Sequence, residues 1–460
     1  MKSVKIGFLP LYLKLYDDTC GFMRERIDSF CTTIIKKLES LGLEVVPAPI
    51  CRVKSEFDNA MRLFDDVCAL VTLHLAYSPS LECIEALESF QKPIVVMDTT
   101  PTYEFSSMTG DEEILYNHGI HGVQDMCSML KRRGKAFYIE AGHWENSDVL
   151  DRVHALCLSA AAADKMKRSR VGIIGEPFEG MGDFFVTPEG LKSTVGADVV
   201  MFDMKQVGER SAAITKDDIQ KEMDEDLILF DSLVYNAQAH ERTARAGLIV
   251  RRWIEENALC AYTLNFANID RNTGFECVPF VEASKAMYRG IGFAGEGDVL
   301  TATLCGALLS VYPETSFTEM FCPDWKNDTI FLSHMGEMNP RCAKGKMKLS
   351  KMDYQYTDAA SPVVAYGCFK PGKAVLVNLA PIEDNRYTLI LSPVSMLDFE
   401  GEDRMADSVH GWFKPRVPVD RFLESFSKAG GTHHLVLVYT ENIKALEAFG
   451  HMMNFHVEVI

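Results

Sequence analysis

Two glutamates in the segment Thr315–Pro340 stand among apolar or small residues, where an unpaired carboxylate is costly to bury. Glu319 and Glu337 are 18 positions apart, with a turn between the segments that carry them. If Thr315–Phe321 and Thr329–Glu337 fold back on each other, the two carboxylates meet near one end of a sheet. The spacing therefore predicts a site in which both glutamates take part.

Two kinds of chemistry suit such a pair. Carboxylates, together with imidazoles, are the ligands that hard divalent cations such as Mn²⁺ and Mg²⁺ favour. The same two carboxylates can act as base and acid, taking a proton from one carbon and returning it to the next. The alternative, that Glu319 and Glu337 are surface residues at strand ends, stays open on this segment alone.

Histidines supply the second signal. Gly430 to His434 read GGTHH and come directly before the apolar strand Leu435–Tyr439, so His433 and His434 lie at a strand mouth. A neutral imidazole there can bind a metal, although most single histidines are structural. His74 follows a buried parallel strand, at the edge where open α/β sheets bind ligands.

The segment Phe293–Asp298, FAGEGD, opens a helix. Its backbone N–H groups could face an anion, but Glu296 and Asp298 would repel a phosphate. We therefore interpret the segment as a structural turn, with Asp298 as the N-cap of the helix. Hydrolase, P-loop and dinucleotide motifs are absent from the sequence.

Composition narrows the class of protein. The chain has 460 residues, of which 47% are hydrophobic and 24% charged, as in soluble globular proteins. A formal net charge of −18 disfavours nucleic acid as a partner. The 13 cysteines are scattered and odd in number, which predicts reduced thiols and a cytoplasmic protein. We find neither a signal peptide nor a membrane-spanning segment in the sequence.

The elements that must position these residues alternate between strand and helix. Apolar strands separated by helical patterns of 10–20 residues predict parallel sheets covered by helices on both faces. After Tyr312 the pattern changes to short β segments with Pro and Gly between them. We expect two Rossmann-like, doubly wound α/β domains over residues 1–168 and 169–311, and a β-rich, barrel-like domain over residues 312–460.

Taken together, several short motifs resemble the L-arabinose isomerase family, within the group that includes L-fucose isomerases. The matching pieces occur in the family's order and are NHGIHG (117–122), AGHW (141–144), IGFAGEGD (291–298), TSFTE (315–319), SHMGE (333–337) and GGTHH (430–434). The chain is identified on these motifs as a divergent member of that family.

The resemblance implies a three-domain subunit and an intramolecular oxidoreductase that interconverts an aldose and a ketose. It implies a divalent metal, usually Mn²⁺, held by Glu319, Glu337 and His434. The two glutamates would move a proton between C1 and C2 of the open-chain sugar through an enediol. His121 matches a residue that reaches a neighbouring subunit's site, which implies a hexamer or a trimer.

Two departures bear on the substrate. The family has a second histidine ligand shortly after the second glutamate, whereas here no histidine lies between His334 and His410. Water, His334 or Asp353 would complete the ligand set, or metal binding would be weaker. The family's N-terminal substrate loop is also replaced, with Tyr16 as a possible counterpart of its tyrosine. We expect Tyr16, His74, His121 and His433 to contact the substrate.

In place of the missing histidine the chain has five cations in eleven residues, Arg341 to Lys351. Lys344 and Lys346 could hold an anionic sugar group, such as a phosphate, sulfonate or carboxylate. A solvated hairpin face is the alternative for this segment. A non-catalytic sugar-binding relative and a metal-dependent epimerase are the alternative functions.

Overall fold

The structure is a computed structural model, and it describes residues 3–234, 236–383, 386–399 and 401–460. The chain forms two compact units, Met1–Asp164 and Lys165–Ile460. The fold is mixed α/β, with one parallel sheet in each unit and a large β-rich sheet in the second.

The first unit is built on a five-stranded parallel sheet in the order β2-β1-β3-β4-β5. Its strands are β1 (Val4–Leu11), β2 (Leu43–Pro47), β3 (Ala69–His74), β4 (Ile94–Asp98) and β5 (Tyr138–Ala141). Every residue of β3 is buried, as expected of a central strand with both faces covered. The sequence prediction of a strand over Val4–Leu11 is confirmed.

Six helices connect or follow these strands. They are α1 (Lys14–Thr19), α2 (Arg24–Ser40), α3 (Lys54–Met61), α4 (Ser80–Ser89), α5 (Gly119–Arg132) and α6 (Val149–Lys167). All of them except α1 have buried side chains. In α2, for example, Ile27, Phe30, Ile34 and Leu38 are buried. The three- to four-residue spacing explains why this segment folds as a helix packed on a sheet.

The second unit begins with a four-stranded parallel sheet in the order β10-β9-β6-β7. Its strands are β6 (Arg170–Ile174), β7 (Asp198–Met201), β9 (Ala261–Leu264) and β10 (Gly292–Gly295). The helices of this part are α7 (Pro188–Thr194), α8 (Val207–Ala212), α9 (Lys216–Leu229), α10 (Ala237–Glu256), α11 (Phe280–Tyr288) and α12 (Val299–Leu309).

A ten-stranded sheet makes up most of the rest, in the order β19-β16-β15-β18-β11-β12-β17-β14-β13-β8. Its strands are β8 (Asp231–Val234), β11 (Thr315–Asp324), β12 (Thr329–His334), β13 (Lys348–Lys351), β14 (Val363–Cys368), β15 (Gly372–Ile382), β16 (Arg386–Met396), β17 (Val409–Pro415), β18 (His434–Val438) and β19 (His456–Val459). Two helices accompany it, α13 (Val419–Lys428) and α14 (Ile443–Met452).

The central strand β11 carries the pattern that positions the site. It runs antiparallel to β12 on one side and to β18 on the other. Its first four residues are buried, so this end of the strand lies in the interior. The predicted meeting of Thr315–Phe321 with Thr329–Glu337 is confirmed as far as the strand pairing goes, because Glu319 lies opposite Ser333.

Within the described residues, no helix is long and apolar enough to cross a membrane. None of the described cysteines forms a disulfide.

Candidate active site and metal centre

A cross-strand pair forms the base of the site. Glu319 on β11 lies directly opposite His434, the first residue of β18. Side chains opposite each other on neighbouring antiparallel strands share a face and touch. The His434 Nε2 atom accordingly lies 3.1 Å from Glu319 Oε1.

Glu296 lies in the segment between β10 and α12, and its side chain extends toward the two histidines. Its Oε2 atom lies 3.4 Å from His434 Nε2 and 3.5 Å from His433 Nε2. Its backbone adopts a left-handed conformation, with φ at 62°. A non-glycine residue in that region costs about 1 kcal/mol or more, and such residues cluster at functional sites. The surrounding fold therefore holds Glu296 in place at a cost in stability.

These four side chains converge on one point. One ligand atom from each of Glu296, Glu319, His433 and His434 lies within 4.8 Å of the others. Among the described residues, Glu296 Oε2, Glu319 Oε1 and His434 Nε2 are buried atoms without a hydrogen-bond partner. Buried polar atoms are almost always satisfied, so three that face one another fit a bound cation. Two carboxylate oxygens and two imidazole nitrogens suit a divalent metal such as Mn²⁺.

Asp298 orients His434 from the side away from this point. Its Oδ2 atom accepts a hydrogen bond from His434 Nδ1 at 2.9 Å, and its Oδ1 accepts from the Thr301 N–H at 2.8 Å. The second bond confirms the prediction that Asp298 is the N-cap of α12. Because Nδ1 donates to a carboxylate, Nε2 of the neutral ring offers its lone pair to a metal.

Glu337, expected among the metal ligands, lies outside the four converging groups. Its Oε2 accepts from His334 Nδ1 at 2.6 Å and from the Gly336 N–H at 2.8 Å. The other ring nitrogen of His334 lies 3.0 Å from Glu319 Oε1. An imidazole therefore bridges the two glutamates that the sequence singled out.

The carboxylates dominate the electrostatics of the site. Burial would raise the pKa of Glu296, but the adjacent imidazoles of His433 and His434 lower that pKa to about 2. Burial likewise opposes the charged form of His334, but Glu337 and Glu319 raise its pKa to about 10. This strongly negative field favours positive charge, whether a proton or a metal cation.

Aromatic rings form the walls. Phe184 stacks on the His434 ring, with centroids 4.9 Å apart and planes 12° from parallel. Phe317 meets the rings of His334 and His434 edge-on, at 4.8 and 5.1 Å. The rings of His334 and His434 are therefore packed against aromatic side chains.

Comparison with known proteins identifies the family of the chain. The L-arabinose isomerase N-terminal domain matches residues 18–168, the central domain matches residues 190–312, and the C-terminal domain matches residues 314–456. The chain belongs to the L-arabinose isomerase family.

Individual relatives show how divergent this member is. The L-arabinose isomerase of Pectobacterium carotovorum subsp. carotovorum strain PC1 is 24% identical, over 100% of this chain and 94% of the relative. That of Shouchella clausii strain KSM-K16 is 25% identical, over 92% of this chain and 88% of the relative. That of Bacillus subtilis strain 168 is 24% identical, over 82% of this chain and 77% of the relative.

Two of the residues expected to contact substrate lie together in the first unit. The Tyr16 hydroxyl lies 3.1 Å from His118 Nδ1, and His118 Nε2 lies 2.8 Å from His121 Nδ1. The ring of His121 also packs 5.0 Å from that of Tyr77. His121 is thus held at the surface of its unit in a defined orientation.

His74, another expected contact, is buried in the same unit at 2% exposure. A Cβ at Gly122 would lie 2.3 Å from the His74 ring, and one at Gly119 would lie 2.7 Å from the His74 carbonyl oxygen. Helix α5 can therefore approach the end of β3 closely. Both ring nitrogens of His74 are buried without a hydrogen-bond partner among the described residues, and its contact with substrate stays a prediction.

The basic segment of this family member lies at the surface. Lys344 pairs with Asp398, and Lys346 lies 3.8 Å from Asp231. Asp353, a candidate for the missing ligand, has an 86% exposed side chain that lies 3.5 Å from Lys351. Of the two side chains predicted to complete the ligand set, His334 lies next to Glu319 and Asp353 does not.

Sequence reasoning missed two residues of the site. Glu296 was assigned to a structural turn, although a glutamate between two glycines is a signal for a strained, functional backbone. Asp183 was not considered, and it binds His433 from 250 positions away in the chain. No local sequence pattern predicts a contact between residues so far apart in the chain.

Proposed function

We propose that this protein is a metal-dependent aldose–ketose isomerase that acts on an open-chain monosaccharide. The observation that supports this best is the convergence of Glu296, Glu319 and His434 through buried atoms that lack hydrogen bonds, in a member of the L-arabinose isomerase family. The relatives named above are isomerases by name, and the proposal extends that reaction type to this chain.

The metal would be held by four side chains, Glu296, Glu319, His433 and His434. We propose Mn²⁺, because a mixture of imidazole and carboxylate ligands suits Mn²⁺ better than it suits Mg²⁺. When bound, the metal would polarise the sugar carbonyl and so acidify the neighbouring C–H bond. In this set Glu296 and His433 take the places of Glu337 and of the histidine that the family pattern has and this sequence lacks. The metal site is therefore proposed to be complete, with a changed ligand set.

The proton transfer falls to the two glutamates, as the family resemblance implies. Glu337 is 1% exposed and fixed by the Gly336 N–H and by His334. Glu319 faces the same imidazole from the other side. We propose that one carboxylate removes the C2 proton of the aldose and that the pair returns a proton to C1, through an enediol.

We also propose a homo-oligomer, a hexamer or a trimer, in which the site is completed by a neighbouring copy. The support is the exposed position of His121 and its ordered contact with His118 and through it with Tyr16. Such a chain can present one imidazole to a sugar hydroxyl. A cytoplasmic location remains the prediction drawn from the cysteine content.

A narrower proposal concerns the sugar. If the substrate carries an anionic group, Lys344 and Lys346 are its proposed partners, and the group would compete with Asp398 and Asp231. Rates on neutral and acid-bearing aldoses decide this point. A clear preference for neutral pentoses or 6-deoxyhexoses would rule it out.

The function is tested by incubating the metal-loaded protein with a panel of aldoses and ketoses and separating the products by chromatography. We expect one aldose–ketose pair to interconvert with Mn²⁺, and Glu337→Gln to abolish turnover while keeping bound metal. Sugar binding without any conversion would favour a non-catalytic relative. Conversion to a second aldose without a ketose would favour an epimerase.

A further inference from the structure

Asp183 lies in the loop between β6 and α7, residues 175–187, and touches the site through His433. Its Oδ2 atom accepts two hydrogen bonds from that one residue: the His433 N–H at 2.9 Å and the ring Nδ1 at 2.7 Å. A single oxygen thus fixes both the backbone and the imidazole. The ring cannot turn about its side-chain bonds without losing the Nδ1 bond.

This double contact decides which ring nitrogen faces the site. With Nδ1 bound to Asp183, Nε2 is directed toward Glu296, whose Oε2 lies 3.5 Å away. Carboxylates that bind the far nitrogen of a metal-ligating histidine play this part in many proteins, fixing the ring and making it a better ligand. Asp298 has the same relation to His434.

The two histidines differ in how firmly the rest of the protein holds them. His434 is fully buried, stacked on Phe184 and opposite Glu319 in the sheet. His433 has a side chain that is 37% exposed. Its ring packs against those of His434, at 4.2 Å, and Phe184, at 5.7 Å, while Asp183 accepts hydrogen bonds from both its backbone N–H and its ring.

The loop itself is anchored to the site. The Phe178 N–H donates to the Glu296 carbonyl at 2.9 Å, and the Glu176 N–H donates to Asn268 Oδ1 at 2.8 Å. The loop also passes so close to Gly297 that a Cβ there would lie 2.6 Å from Pro177 Cα. Asp183 is thus carried by a segment that is docked on the backbone of another proposed ligand.

We propose that Asp183 is a positioning residue that makes His433 the fourth ligand of the metal site, and so supplies the ligand that the family's missing histidine would have given. The inference rests on the proposed function only in requiring a divalent metal. It assigns to the 175–187 loop a role in the metal affinity of this divergent chain.

The experiment measures Mn²⁺ affinity directly, from the electron paramagnetic resonance signal of free Mn²⁺ at each step of a titration of the full-length apoprotein. The variants are Asp183→Ala, His433→Ala and the double variant, with Glu179→Ala as control. Glu179 is an exposed acid of the same loop, so its removal changes the charge equally. Thermal unfolding of each apoprotein shows whether it folds.

We expect Asp183→Ala to weaken Mn²⁺ binding by about 10- to 100-fold, the range for lost partners of metal-bound histidines. The double variant should bind no more weakly than His433→Ala, because Asp183 acts through His433. Glu179→Ala should bind as the wild type does. In the Co²⁺-loaded protein, both single variants should show the same change in visible absorption, since both lose one nitrogen ligand.

Two results would overturn the inference and leave the proposed function standing. In the first, His433→Ala weakens binding and Asp183→Ala does not. In the second, neither does, while Glu319→Gln still removes the metal. If wild-type protein binds no divalent metal at all, the proposed function and this inference both fail.

Discussion

Two groups of buried charges in the second unit are built in opposite ways. The first is the ion network of helices α9, α10 and α11, which consists of Glu222, Asp226, Arg251, Glu282, Lys285 and Arg289. The second is the candidate metal site. In the network three cations pair with three carboxylates, and Arg251 binds Glu222 at 2.6 Å and Glu282 at 2.7 Å. In the site, Glu296 Oε2, Glu319 Oε1 and His434 Nε2 are buried and make no hydrogen bond within the described part of the chain, although imidazole nitrogens lie 3.0 Å from Glu319 Oε1 and 3.4 Å from Glu296 Oε2.

The two groups of charges show how a buried ion network that stabilises the fold differs from one that forms a binding site. Buried charges that are fully paired need nothing further, and they hold helices in register. Buried atoms that converge without hydrogen bonds lower stability unless a ligand satisfies them. A buried carboxylate is thus no sign of a site by itself, whereas a buried carboxylate oxygen that faces imidazole nitrogens without a hydrogen bond to them is.

The two groups also touch through one helix. Ser284 lies on α11 between Glu282 and Lys285, and its hydroxyl accepts from the Met338 N–H at 3.1 Å. The same hydroxyl donates to the Gly336 carbonyl at 3.4 Å. The network therefore fixes a helix that positions the backbone on both sides of Glu337.

The largest effect should come from breaking the network. Lys285→Met leaves Asp226 without its lysine and removes one partner of Glu222. We expect a loss of about 3–5 kcal/mol in the free energy of unfolding, the usual cost of leaving a buried charge uncompensated. Urea denaturation of the apoprotein measures it, and the folded variant should still bind Mn²⁺.

The matched control is Lys54→Met, which breaks the exposed pair Lys54–Glu85. Exposed ion pairs are screened by water and contribute little to stability, so this variant should unfold almost as the wild type does. Equal losses in the two lysine variants would contradict the structural role of the network.

Removing the charge of one acid of the site should lower the affinity for Mn²⁺ and leave the apoprotein folded, the reverse of the Lys285→Met variant. Glu319→Gln keeps the shape of the side chain and removes its charge. We expect Mn²⁺ affinity to fall by more than about 100-fold, which corresponds to about 2.7 kcal/mol of binding free energy. Calorimetric titration checks this, with Glu314→Gln as the control, because Glu314 is an exposed glutamate just before the same strand.

Glu296 should show a conflict between stability and binding. Glycine adopts a left-handed backbone without strain, whereas alanine does not. The free energy of unfolding of Glu296→Gly should therefore be about 1 kcal/mol higher than that of Glu296→Ala. Both variants should lose Mn²⁺ affinity equally. Equal stabilities of the two apoproteins would show that the backbone at residue 296 is not strained.

The smallest effect is a pH dependence in the network. Burial raises the pKa of Glu222, but Arg251 and Lys285 outweigh it and bring the pKa below the ordinary value of 4.5. Its stabilising contribution is therefore complete above pH 4.5 and is lost as the pH falls through the lowered pKa.

Glu222→Gln provides the test. The difference in unfolding free energy between wild type and this variant, measured with a chelator present, should be constant near neutral pH and shrink on acidification below 4.5. A difference that grows on acidification would mean that the pKa of Glu222 is raised.

Much of the fold follows from patterns with a physical period. Val4–Leu11 was predicted to the residue because a buried parallel strand is a continuous apolar run. Asp298 was predicted as an N-cap because capping is local chemistry. Strand β8 was not predicted, because it pairs with β13 more than a hundred positions away.

The site divides in the same way. Glu319, Glu337 and His434 stand out in sequence as polar residues in apolar or glycine-rich company. Glu296 was passed over because its role depends on where a left-handed backbone aims the side chain. Asp183 depends on a loop docking against a distant strand, which no spacing in the sequence records.

The most direct test of the central claim is an isomerisation in D₂O with Mn²⁺, followed by NMR of the ketose. Proton transfer by Glu319 and Glu337 predicts deuterium at C1 of the ketose made by the wild type, and no ketose from Glu337→Gln. A ketose formed equally well by Glu337→Gln would contradict the account, with or without solvent deuterium, because a carboxylate can also return the proton that it has removed.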